Sequence, residues 1–157
     1  MIRINRETDY GVVILSLMAV EPERRYNAAW LAEQRGLPLP VVSKILKHLA
    51  RAGLLVSYRG AKGGYGLARD PAEINVAQIV AALEGPIALT DCVEVVGANG
   101  CQYHSHCVIS SNWNRINRVV QKALEGISLE DMTRPMDDDM SPGDPKEAYV
   151  SLTSLTR

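Results

Sequence analysis

The stretch from Asn27 to Ala68 limits the fold most. Asn27 is placed to cap a short helix over Ala28 to Gln34 that ends at Gly36. Leu37-Pro38-Leu39-Pro40 leads into a second helix, continuing from Val41 to Ala52 and closed by Gly53. At about 100° per residue, Val42, Ile45, Leu46, Leu49 and Ala50 share one side of it, and Ser43, Lys44, Lys47, His48 and Arg51 share the other. Two apolar runs, LLVSY from Leu54 and YGLA from Tyr65, then form a hairpin whose tip, Arg59-Gly60-Ala61-Lys62-Gly63-Gly64, holds two cations and three glycines. A basic helix face alone is usually a solvated surface. Followed directly by a glycine-rich basic hairpin, it is the pattern of a winged helix-turn-helix.

Charge is distributed to match. The chain of 157 residues has a net charge of only -1, yet Arg24 to Lys62 carries eight Lys or Arg against the single acid Glu33. Double-stranded DNA is therefore the expected partner. Pro40, Val41, Ser43, Lys44, Lys47 and His48 are expected along the major groove. Arg59, Lys62 and Gly63 are expected at the backbone or minor groove, where glycine allows close approach to phosphate.

The flanking segments frame this unit. A helix from Glu7 or Thr8 to Ala19, capped by Thr8 or Asp9, is apolar around most of its circumference at Val12, Val13, Leu15, Leu17 and Met18, so it packs on more than one side. Another helix spans Asn75 to Glu84 and is closed by Gly85-Pro86. A long helix from Val108 to Glu125, roughly 27 Å at 1.5 Å per residue, sets Trp113, Ile116, Val119, Val120, Ala123 and Leu124 on one side. Asn114, Arg115, Asn117, Arg118, Gln121 and Lys122 lie on the other. A stripe that long suits a partner subunit, its own domain, or both. Ser128 opens one more helical turn over Ile127 to Met132, and the proline- and aspartate-rich end reads as an acidic disordered tail.

The expected fold is thus mainly α with a small β-hairpin, divided into a winged helix-turn-helix at 1–85, a cysteine-rich loop at 86–107, a dimerisation helix and short turn at 108–133, and the tail at 134–157. The longest apolar run, Gly11 to Val20, is too short to span a bilayer, and a cytoplasmic location is expected. No hydrolase or nucleotide-binding motif and no acid, base and nucleophile set is visible, which argues against an enzyme or a small-molecule substrate.

All three cysteines fall between Asp91 and Cys107, in DCVEVVGANGCQYHSHC, spaced Cys-x8-Cys-x5-Cys. Thiolates select zinc, copper(I) or iron-sulfur iron over hard cations. A structural zinc with His104 or His106 as fourth ligand is one reading, although the short Cys-x2-Cys knuckles of common zinc sites are missing. One disulfide plus a free thiol is another, uncommon in a reducing compartment. An iron-sulfur cluster is the third, and three cysteines leave it one ligand short.

Three groups of residues then carry a resemblance: Thr8-Asp9-Tyr10 in the first helix, Arg59-Gly60 with Lys62-Gly63-Gly64-Tyr65 in the wing, and Cys92, Cys101 and Cys107 before the long helix. Over about Met1 to Met132 the chain resembles the Rrf-type winged-helix transcriptional regulators, and within them it is most similar to the branch regulating the SUF iron-sulfur assembly operon. The resemblance implies a homodimer with crossing long helices, an operator in double-stranded DNA, and an iron-sulfur cluster, 2Fe-2S in preference to 4Fe-4S, whose occupancy or redox state sets DNA affinity. It implies a repressor of cluster-assembly genes. A nitric-oxide or redox-sensing repressor is the alternative within the family, and a zinc-stabilised interaction module the alternative outside it. One position departs from the assembly branch, where a histidine three residues after the last cysteine completes the site: here it is Ser110. In the nitric-oxide branch an aspartate from the partner's first helix serves, and Asp9 occupies the matching place, with Glu7, His104 and His106 as alternatives.

Overall fold

Val42, Ile45, Leu46 and Leu49 are fully buried, at the i, i+3, i+4 and i+7 positions of one helix, α3 (Leu39–Arg51). Each removes apolar surface worth about 1.5–3 kcal/mol on burial. Against this stripe pack Ile14, Leu15 and Met18 of α1 (Arg6–Ala19) and Leu31 and Ala32 of α2 (Ala28–Arg35). The structure, a computed structural model, describes residues 3–60, 63–93, 101 and 106–134.

Local chemistry sets the helix ends. Asn27 accepts from the Trp30 N–H at 2.7 Å and Gly36 closes α2 in the left-handed region at φ 61°. The cap of α1 differs from the expectation: it is Asn5, whose side chain accepts from the Thr8 N–H at 2.8 Å, and Asp9 lies inside the helix. Thr8 cannot cap because it points into the core, 0% exposed. The Asn5 N–H also donates to Glu84 Oε1 at 2.9 Å, tying the start of α1 to the end of α4 (Val76–Glu84). Asn75 and Gln78 form a reciprocal capping box on α4.

The wing pairs β1 (Leu55–Tyr58) antiparallel with β2 (Gly64–Leu67), Leu55 opposite Leu67 and Tyr58 opposite Gly64. A single residue before α2 adds a third rung, since Tyr26 and Tyr65 exchange two backbone hydrogen bonds of 2.8 Å.

The long helix, α5, spans Ser110–Glu125 and so begins two residues later than expected; Val108 and Ile109 form a turn with exposed side chains. Trp113, Val120 and Leu124 are half-buried on α5, whereas Ile116 and Val119 are exposed. Asn117, expected on the solvent side, is instead its one buried residue, 1% exposed. Its amide donates to Ile87 O at 2.8 Å and accepts from the Leu89 N–H at 3.0 Å. The 86–93 strap has no helix or strand to satisfy its backbone, and an amide offers both a donor and an acceptor. Beyond α5 the chain returns to the winged unit: Leu129, fully buried, donates its N–H to Ile74 O at 2.7 Å. The expected final turn is a 3-10 turn at Asp131–Thr133. There the Ser128 hydroxyl and N–H donate to the Asp131 carboxylate and hold it below the usual carboxylate range. The acidic tail from residue 135 lies outside the described residues. Among those described, no helix is long and apolar enough to cross a membrane.

Replacing Asn117 by alanine leaves two part-buried backbone groups of the strap without their partner. Asn117→Ala should cost about 1–3 kcal/mol of unfolding free energy, whereas Gln121→Ala, which removes a surface hydrogen bond to Glu125, should stay within about 0.5 kcal/mol. Equal losses for the two variants in urea titrations would contradict the anchoring role.

Candidate nucleic-acid interface and cysteine loop

With its apolar stripe committed to the core, α3 turns Pro40, Lys44, Lys47 and Arg51 to solvent, with Ser43 and His48 half-buried between them. Val41 departs from the rest: it is half-buried and packs against the core edge. Lys47, Ala50 and Arg51 line a hollow together with Ser57 and Tyr65 of the wing, so the basic face of α3 runs on into the hairpin. Arg59 stands exposed where that hairpin turns. Lys62 lies outside the described residues. The Gly63 N–H donates to Gly60 O at 2.8 Å, and a Cβ there would sit 2.6 Å from Tyr58 O. Turn closure therefore already requires glycine at this position.

Two arginines escaped the residue-by-residue reading. The Arg24 guanidinium lies 4.5 Å from the Trp30 ring centroid and 5.0 Å from that of Tyr26, and Arg25 sits 3.9 Å over Tyr58. Such contacts contribute about 0.5–1 kcal/mol at exposed sites; Arg24 braces the chain before α2 on the first turn of that helix, and Arg25 holds it against the wing. Burial, with the nearby Glu21 charge, pushes the Tyr26 phenol up. The arginine-rich approach to Tyr26 and Trp30 was the available signal, but Tyr58 arrives from across the sheet.

Glu7 and Asp9, both candidate ligands, separate in space. Glu7 Oε1 lies 2.7 Å from Lys44 Nζ, joining α1 to the exposed face of α3. Asp9, two residues and about 200° further round the helix, is exposed on another side.

Cys92 is buried, 7% exposed, at the end of the strap that Asn117 holds, with Thr90 Oγ1 3.2 Å from its sulfur. Cys101 and Cys107 are half-buried, and all three thiols are free. The Ser110 hydroxyl donates to Cys107 O at 3.2 Å, which engages it with backbone at the start of α5. His106 is exposed, and His104 lies outside the described residues. Three free soft donors are the right chemistry for thiophilic metal or a cluster. Among the described residues no three metal-ligating side chains are gathered at one point; 94–100 and 102–105, which link the cysteines, lie outside them.

A family model described as "Rrf2: Iron-dependent Transcriptional regulator" matches residues 4–135. The chain belongs to the Rrf2 family. As an Rrf2 protein it is a DNA-binding transcriptional regulator and not an enzyme. It is 31% identical over 102 residues to the HTH-type transcriptional regulator IscR of Aliivibrio salmonicida, an alignment covering 65% of this chain and 59% of that one. Among solved structures it is similar to T. potens IscR, with 30% identity, a TM-score of 0.62, and 83% and 85% of the two chains covered. It is also similar to CymR, the global cysteine regulator of B. subtilis, with 28% identity, a TM-score of 0.63, and 85% and 97% covered. These Rrf2 structures agree with the winged architecture described above.

The tight joint between wing and Tyr26 is testable. Gly64 has φ 152°, and a Cβ there would lie 2.6 Å from Tyr26 O. Gly64→Ala should destabilise the protein by about 1–3 kcal/mol and lower affinity for all duplexes alike. An unchanged unfolding midpoint would show that the third rung is not a close contact.

Proposed function

We propose that this protein is a homodimeric repressor whose cysteine loop binds an iron-sulfur cluster, 2Fe-2S in type, and which controls genes of iron-sulfur cluster assembly in response to cluster, iron or redox status. The observation that carries this reading is the set of three free thiols on an Rrf2 chain, the first of them buried on a strap anchored to α5. The kinship with IscR proteins supports it.

In this reading Pro40, Ser43, Lys44, Lys47 and His48, with Val41 at the edge, enter the major groove. Arg59, Lys62 and Gly63 meet the backbone or minor groove. The exposed Val108, Ile109, Ile116 and Val119 along the start and flank of α5 supply apolar surface for a second copy. Cys92, Cys101 and Cys107 would hold the cluster, with Asp9 of the partner chain as fourth ligand. Asp9 is favoured over Glu7 because Glu7 is already paired with Lys44 while Asp9 is exposed on the far side of α1; His104 and His106 are the remaining alternatives. The cluster would supply a site for ligand exchange and electron transfer. A carboxylate is a hard donor on soft-ligated iron, so Asp9 is the ligand most easily lost. Because α1 packs directly on α3, a pull on Asp9 reaches the DNA-reading helix through Ile14, Leu15 and the buried stripe of α3. A tenfold change in affinity needs only about 1.4 kcal/mol between two such arrangements.

Similarity to CymR favours a second reading, a redox-sensing repressor of the same family in which the thiols themselves report sulfur or redox status. Anaerobic purification with visible spectroscopy and metal analysis separates the two. Cys92→Ala, Cys101→Ala and Cys107→Ala should each abolish a coloured, iron-containing species, and Asp9→Ala should leave it formed but labile. A colourless protein with one tightly bound zinc would end the cluster reading, and loss of colour in His104→Ala or His106→Ala with a normal Asp9→Ala would move the fourth ligand into the loop. On DNA, Lys47→Ala or Arg59→Ala should weaken binding to every sequence and lower the salt slope by about one.

A further inference from the structure

The Lys44–Glu7 pair is unlike the other ion pairs among the described residues. Those join residues three or four apart, Arg24 to Glu21 and Arg134 to Glu130 and Asp131. Lys44 and Glu7 are separated by 37 positions and lie on different helices, with their charged groups 2.7 Å apart. Their side chains are 54% and 38% exposed. An ion pair that open to water contributes little to stability, and α1 and α3 are already joined by their buried side chains. Its consequence falls on the outer surface, where the reading face of α3 acquires a carboxylate among its cations.

We infer that Glu7 is a specificity-determining residue of the DNA-reading surface, holding the Lys44 ammonium back from phosphate so that it serves a base edge. This rests on the reading of α3 as the recognition helix. Lysine has a long flexible stem and a compact charge that any nearby phosphate can capture. Among the described residues Lys47, Arg51 and Arg59 have no carboxylate partner and are free to do so. Lys44 is different. One of its three N–H donors is taken by Glu7, which fixes the direction of the ammonium and leaves two donors for an acceptor such as guanine O6 or N7. On a wrong sequence no acceptor meets them, and the Glu7 carboxylate then faces the negative backbone with its repulsion uncompensated. The pair thus weakens non-specific binding more than operator binding, which is how discrimination is raised by an unfavourable contact with the wrong partner.

The test uses the full-length protein as purified, an operator that the wild type selects from a randomised duplex pool, and a random-sequence duplex of the same length. Glu7→Gln keeps the size and helix preference of the side chain and removes only its charge. It should raise affinity for the random duplex several-fold and steepen that salt slope by about one, since Lys44 is released to phosphate. Operator affinity should change less, so the ratio of the two affinities falls. In a Lys44→Ala background the steeper slope should vanish. An unchanged salt slope in Glu7→Gln, or the same steepening without Lys44, would overturn the assignment. The visible spectrum of Glu7→Gln should match the wild type, and loss of the cluster would overturn it by making Glu7 a metal ligand. If Lys44→Ala and Lys47→Ala both leave all DNA binding unchanged, the recognition-helix reading falls and the inference with it. If Lys47→Ala weakens binding and only Glu7→Gln is silent, the inference alone fails.

Discussion

The buried stripe of α3 is the constraint on which the other features depend. Val42, Ile45, Leu46 and Leu49 can leave water only if α3 lies flat against α1 and α2, and that choice forces Lys44, Lys47 and Arg51 outward together. The basic surface is therefore a by-product of core packing. The wing follows from the same event, because Leu54 and Leu55 at its root are buried in the same core and Tyr26 clips its second strand. A close-packed interior transmits displacement instead of absorbing it, so α1 and α3 move as neighbours or not at all.

A second, polar constraint connects the cysteines to this core. Asn117 is the buried residue of α5, and both of its hydrogen bonds go to the strap that ends at Cys92. At its other end α5 is fastened by Leu129, which returns to the winged unit beside Ile74. Cys92 is thus joined through the strap to a helix that is fixed at its far end and carries exposed apolar residues on its flank. The arrangement suits a sensor loop placed between a DNA-reading unit and a subunit contact.

Much of this was legible in the sequence where the deciding interactions are local. The Asn27 cap, Gly36, the two faces of α3 and the paired wing strands all depend on neighbours within a few residues, and periodicity reveals them. What was not legible depends on partners far along the chain. Asn5 outcompetes Thr8 as a cap because Thr8 is drawn into the core. Asn117 belongs by pattern to the wet side of its helix, and only the unsatisfied backbone of the 86–93 strap explains why it turns inward. Tyr26 pairs as a one-residue strand, and Arg25 finds its aromatic partner across the sheet. The Glu7 contact with Lys44 makes a single unit of two residues expected in different roles, one a metal ligand and one a base reader. The cysteine spacing showed the chemistry of the donors but not their arrangement, since the segments between them, 94–100 and 102–105, lie outside the described residues.

In the proposed function, the state of the cysteine loop sets the affinity of α3 and the wing for DNA. The most direct measurement is a pair of operator-binding isotherms at one salt concentration, one with anaerobically prepared cluster-bearing protein and one with the same protein stripped by chelation, each verified as a dimer. The two affinities should differ by tenfold or more, a factor of ten being equivalent to about 1.4 kcal/mol. Superimposable isotherms from two intact dimers would contradict it.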